Sequence, residues 1–212
     1  VPVAPRPPGI VSDAVAAIEA SLSDADWARD ESAMDAIEVA SLFAGNLQLA
    51  GRARTTVVSA RELQWTTADS SGGPSSAPRS LQVLIVDAGD AETAVALAEA
   101  MDAQQARRIG SFVAALQEEA GGAGSADGVI FGRQGQIAGP DSGQVDPDAR
   151  DTVRIWRRAL RLSDAGEVRL IELSVATSGR LMIRFATDGR VFRADAPDQA
   201  MNDIMSGVGV GG

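Results

Sequence analysis

Apolar positions are densest in Leu81-Gln-Val-Leu-Ile-Val-Asp87, a short run rich in Val and Ile. Consecutive apolar positions over so few residues predict a strand covered on both faces. Ala88-Gly89 breaks the run, and Asp90-Ala-Glu-Thr opens a helix with an acidic first turn. Its apolar positions are Val95, Leu97, Ala98, Met101, Ile109, Phe112, Val113 and Leu116. The pattern is longer than an ordinary helix and Gly110 weakens its interior, so a break near 102–105 or a kink at Gly110 is expected.

Before this centre the chain opens with a Pro-rich arm, residues 1–11, suited to an extended docking or linker role. Ser12 is placed to cap a first helix carrying Val11, Val15, Ile18 and Leu22 at helical spacing. After Ser23-Asp24 a second helix is expected over 26–44, with Trp27, Met34, Ile37 and Leu42 as its apolar positions and Gly45-Asn46 as its stop. Val57-Val58 and the alternation of Leu63 and Trp65 with Glu62, Gln64 and Thr66 then predict a strand. A loop of Ser, Gly and Pro over 69–78 joins it to the central strand as a hairpin.

Beyond the long helix, residues 121–146 are Gly-rich, with only Val129-Ile-Phe131 and Ile137 suited to burial; they read as a surface excursion or a small satellite hairpin. Asp146-Pro147-Asp148 has the cap, proline and acids of a helix start, and the expected helix carries Val153, Trp156 and Leu160 on one stripe. A strand is disfavoured there because either face would mix Arg with large apolar groups. After Ala165-Gly166 the period becomes two, predicting strands near 167–176, 180–186 and 190–194, with turns at Ser178-Gly179 and Asp188-Gly189. A short helix through Met201, Ile204 and Met205 and a Gly-rich tail, 207–212, complete the chain.

The fold class is therefore α+β, an antiparallel sheet packed against several helices. It divides into an α+β half over 12–120 with central strand 81–87, and a helix, three-stranded meander and short helix over 147–206. Each half has the order helix, strands, helix, and helices on one face of a shared sheet are the simplest arrangement.

Composition narrows the chemistry. Among 212 residues there is no Cys, His or Tyr, and all 19 basic residues are Arg. Thiolate nucleophiles, disulfides, imidazole triads, His-zinc sites and Schiff-base lysines are excluded. An enzyme built here would work with carboxylates, Arg, hydroxyls and backbone amides, as a carboxylate-dependent hydrolase, with or without a divalent metal, does. The metal-ligating candidates are Asp87 and Asp90 at the end of the central strand and Asp141, Asp146 and Asp148 in and after the Gly-rich excursion. Each has a plainer reading. Asp87 ends a strand and Asp90 caps a helix. Asp141-Ser142-Gly143 lacks the apolar strand and second copy that an aspartic-protease dyad needs, and Arg150 stands where a calcium loop starting at Asp146 needs an oxygen ligand. No cofactor is implied.

Charge is segregated. Residues 152–194 hold nine Arg against four acids, whereas residues 1–151 hold ten Arg against 22, in a chain of net charge −10. Arg154, Arg157, Arg158 and Arg161 on one helix would form a patch for a small anion or an acidic partner. The plainer reading is that the basic half complements the acidic half of the same molecule. The net charge opposes nucleic acid, and no apolar run approaches a membrane span. The chain begins at Val1 and is read as a processed or trimmed form, leaving compartment and export open. These features together suggest a non-catalytic protein-interaction module, an adaptor, secretion-associated or assembly component, whose partner is another protein or copies of itself. A hydrolase and an anion-binding or sensor domain are the alternatives.

Overall fold

A computed structural model describes residues 9–23, 26–67, 79–119, 129–131, 135–137, 153–164, 167–188, 191, 204–205 and 208. In chain order the elements are α1 (Ile10–Ser21), β1 (Trp27–Met34), α2 (Ala36–Ser41), α3 (Leu47–Thr56), β2 (Ser59–Thr67), β3 (Ser80–Asp87), α4 (Ala91–Glu119), β4 (Val129–Phe131), β5 (Gly135–Ile137), β6 (Val153–Asp164), β7 (Glu167–Ser178) and β8 (Leu181–Asp188). The strands form one antiparallel sheet in the order β1-β2-β3-β8-β7-β6-β4, with β5 also on β6. The α+β expectation holds, and the 81–87 run is central, paired with β2 on one side and β8 on the other.

Helices cover the sheet on both faces, not one. On the first face α1 packs Val11, Ala14, Val15 and Ile18 against Leu63, Trp65, Leu81, Val83, Ile85, Ile183 and Phe185, joined by Ile204, Met205 and Val208 from the end of the chain. On the second, α2, α3 and α4 bring Val39, Phe43, Leu49, Ala53, Leu97, Ala98 and Met101 onto Ala60, Leu84, Val86, Val175 and Met182. Because side chains alternate along a strand, β3 contributes its odd positions to one core and its even positions to the other. That accounts for its nearly unbroken apolar run; only Gln82 is exposed.

The same covering explains the principal error of the sequence reading. Residues 153–164 are strand β6, not a helix. Val153 and Ile155 enter the α1 core, while Trp156 enters the α4 core. With apolar groups buried on both sides of its start, the strand shows no apolar–polar alternation there, so the absence of alternation carried no information about its state. The helix start expected at 146–148 lies outside the described residues.

The helix expected over 26–44 is likewise strand β1 followed by the two-turn α2. As an edge strand β1 is exposed along its whole middle, so it has no apolar period to read. Asp35 separates the two elements through a capping box, accepting from the amides of Ile37 and Glu38 while Glu38 accepts from the Asp35 amide. Asn46 begins α3 rather than merely ending a helix, its side chain accepting from the Leu49 amide at 3.1 Å. The strand expected after it starts at Ser59, beyond Val57-Val58.

α4 runs unbroken through 102–105 and Gly110. Gly110 is exposed, and the long rod is held by burial of Ala94, Leu97, Ala98, Met101, Gln105 and Ile109 along one side, which outweighs one poor helix former. α1 starts at Ile10 with Gly9, not Ser12, at its N-cap. The segment read as an excursion contributes β4 and β5, both laid on the outer edge of β6. Val208, in the Gly-rich tail, is buried in the α1 core. The turn at Ser178-Gly179 is present, Gly179 having φ of 51°. The loop over 69–78 and the Asp188-Gly189 turn fall partly or wholly outside the described residues, although β2 and β3 pair antiparallel as the hairpin requires.

Candidate functional site

The two carboxylates at and just beyond the end of β3, Asp87 and Asp90, accept hydrogen bonds from nearby backbone amides. Asp87 is 3% exposed. Its Oδ1 accepts from the Gly89 amide at 3.1 Å and lies 3.2 Å from Arg180 Nε. Asp90 accepts from the Thr93 amide at 2.7 Å and from the Thr93 hydroxyl at 2.9 Å, capping α4. The Thr93 amide, then its hydroxyl, hold the Asp90 carboxyl below its usual pKa. Between them Gly89 has φ of 80°, and a Cβ there would lie 2.3 Å from the Thr56 carbonyl oxygen. Turn, cap and ion pair thus use both acids. Among the described residues no group of three or more acids could hold a metal ion; Asp141, Asp146 and Asp148 lie outside them.

The arginine series does not form one helical face. Along β6, Arg154 and Arg158 share the α4 side, and the side chains of Arg157 and Arg161 lie outside the described residues. Arg158 meets Asp102 of α4 through Nε to Oδ1 at 2.7 Å and Nη2 to Oδ2 at 2.6 Å, with both side chains mostly buried. Arg154 is half-buried. Arg180 pairs with Asp87, and Arg184 approaches Glu62 at 3.9 Å. Burial lowers the Arg184 pKa against the opposing field of Glu62, and its Nε is buried without a hydrogen-bond partner. Each of these three ion pairs joins an Arg of the basic segment to an acid of the first 151 residues, so the segregated charges meet inside the molecule.

The feature that sequence reading missed is an outer surface. The exposed large hydrophobics among the described residues are Ile37 at 64%, Leu42 at 38%, Leu47 at 84% and Val58 at 67%. All four lie on α2, α3 and their flanking turns. Ile37 and Leu42 had been expected inside a helix core, and Val58 within a strand. In the structure the inward positions of this hairpin are Val39, Ala40, Phe43, Leu49, Ala50 and Ala53, which fill the core and leave the other apolar residues outside. Beside α3, an open groove of about 590 Å³ runs along α4, rimmed by Arg52, Glu92 and Glu99, with Leu49, Ala96 and Ala100 at its base. Arg52 donates to Glu92 across it at 2.8 Å. The one signal in the sequence was Gly51 within an otherwise helical stretch.

No family model matches the chain, and no curated protein matches it. Among solved structures, the extracellular domain of PknH from Mycobacterium tuberculosis aligns over 94% of this chain and 89% of that one, at 11% identity and a TM-score of 0.29. No helix among the described residues is long and apolar enough to cross a membrane.

Proposed function

We propose that this protein is a non-catalytic interaction module of adaptor, secretion-associated or assembly type, and that it engages protein partners through the α2–α3 hairpin. The observation that carries the reading is the concentration of Ile37, Leu42, Leu47 and Val58, the exposed large hydrophobics among the described residues, on that hairpin and its exit in a chain of net charge −10. Exposed apolar residues gathered on one element mark contact surfaces more often than isolated ones do. The engagement of Asp87 and Asp90 in a turn and a cap further supports a structural over a catalytic role for the strand-end acids.

The test is cross-linking of the purified chain, alone and in an extract of its source, followed by peptide mapping. Because the chain has no Lys, a carboxylate-directed dihydrazide reagent is required. Protein-to-protein cross-links on acids bordering the hairpin, such as Glu38, Glu92 and Glu99, that are lost in Ile37→Asp/Leu47→Asp support the reading. Turnover of a substrate that is lost in Asp87→Asn or Asp90→Asn, with no hairpin-dependent cross-link, overturns it.

A further inference from the structure

We infer that the outer face of α3 is a self-association surface on which a second copy of this chain lays its own α3 antiparallel, the two helices crossing at Gly51. The inference rests on the interaction reading above and names the partner. α3 turns Leu49, Ala50 and Ala53 inward. Its exposed positions are Leu47, Gln48, Gly51, Arg54 and Thr55, of which Leu47, Gly51 and Arg54 are spaced by four and three residues, with Val58 exposed just past the helix end. Positions so spaced share one side of a helix.

Gly51 has no explanation among the described residues. It is helical, is not among the glycines at positive φ, and a Cβ added there would meet nothing within 4 Å. Gly is among the poorest helix formers, so its place in the middle of a ten-residue helix is unfavourable for the isolated chain. A close helix crossing is served by such a residue, because the absent side chain lets two backbones approach.

Two further features select a second copy as the occupant. A twofold contact uses the same patch on both partners. With Gly51 near the axis, the protruding Leu47 of either copy meets Val58 and the Arg54 stem of the other. Charge is complementary in the same arrangement. α3 carries no acid and two Arg, although the chain has net charge −10. Glu99 lines the same groove as Asn46 and Gln48, at the start of the helix. An antiparallel crossing brings Arg54 from the end of one α3 to that start, and so to the other copy's Glu99. The helix macrodipoles also oppose in this orientation.

The experiment is sedimentation velocity of the full chain over a concentration series. The wild type is expected to dimerise. Gly51→Leu should weaken dimerisation roughly tenfold or more while the unfolding temperature at low concentration stays the same or rises, since Leu favours helix and the site is open within one copy. Gly110→Leu, at an exposed α4 glycine with equal space, should leave dimerisation unchanged. Arg54→Glu should weaken it, and Arg54→Glu with Glu99→Arg should recover it. A wild type still monomeric at about 0.5 mM, or a dimer indifferent to both Gly51→Leu and Arg54→Glu, overturns the inference. Hairpin cross-links to a different protein from a chain that is monomeric by itself would overturn this inference alone and leave the interaction reading standing.

Discussion

Asp102, near the middle of α4, receives two parallel hydrogen bonds from Arg158 of β6, at 2.7 and 2.6 Å. The pair closes a segment of 56 residues and fixes α4 across the strand that the sequence presented as a helix. With side chains only 18% and 16% exposed, it is the best shielded ion pair among those of the described residues, and its fork geometry is specific to arginine. Removing one partner leaves the other charge largely desolvated. Arg158→Ala or Asp102→Ala is therefore expected to cost about 2–3 kcal/mol in urea unfolding, and Arg158→Met with Asp102→Leu less than either single change. Equal additive losses in the double variant would show that the two groups do not act as a pair.

Gly89→Ala should be among the most damaging small substitutions in the chain. It places a Cβ 2.3 Å from the Thr56 carbonyl oxygen at a residue with φ of 80°. Clash and left-handed backbone strain together predict a loss of about 2–4 kcal/mol. Gly110→Ala, at a helical position with open space, should instead gain up to about 1 kcal/mol. Chemical denaturation of the two variants side by side checks the contrast in sign.

Asp90→Ala removes the α4 cap and should cost about 1 kcal/mol at neutral pH. The Asp90 carboxyl titrates below its ordinary value when folded because Thr93 donates to the ionised form. Its contribution is accordingly present above the unfolded Asp pKa and lost as pH falls through the lower folded value. The stability difference between wild type and Asp90→Ala should thus shrink on acidification below about pH 4. A difference that stays constant to lower pH would remove the carboxylate from the explanation.

Asp35→Ala tests whether the boundary between β1 and α2 depends on local capping. The reciprocal box with Glu38 involves three hydrogen bonds, each of 2.8 Å. Loss of Asp35 is expected to cost about 1 kcal/mol and to raise amide exchange at Ile37 and Glu38 first. Uniform exchange across the α2–α3 hairpin would mean that the packed core, rather than the cap, holds this boundary.

Much of the framework was legible because its signals are local. The 81–87 run, the acid-capped helix after it, the period-two stretch from 167 and the Ser178-Gly179 turn each state a backbone preference within a few residues. The reading failed for β1 and β6 for opposite reasons. β1 is an edge strand with little buried surface, so Trp27–Met34 carries no period at all. β6 has buried groups on both faces over its described start, Val153 and Ile155 in the α1 core and Trp156 and Arg158 against α4, so no apolar–polar alternation marks it as a strand. The strand-end acids were read correctly as cap and terminator candidates, whereas the Arg series was placed on one face only because a helix had been assumed.

The sequence by itself determined the fold class, the central strand, the exclusion of thiol, imidazole and lysine chemistry, and the opposed charges of its two segments. Those follow from residue identity and short-range spacing. Tertiary structure decided that the opposed charges meet each other, through Arg158–Asp102, Arg180–Asp87 and Arg184–Glu62, and that Leu47 and Val58 remain outside while Leu49 and Phe43 go in. Neither outcome is encoded locally. Whether an arginine faces a carboxylate or a leucine faces water depends on which strands become neighbours and which helix layer covers them, and those contacts join residues far apart in the chain.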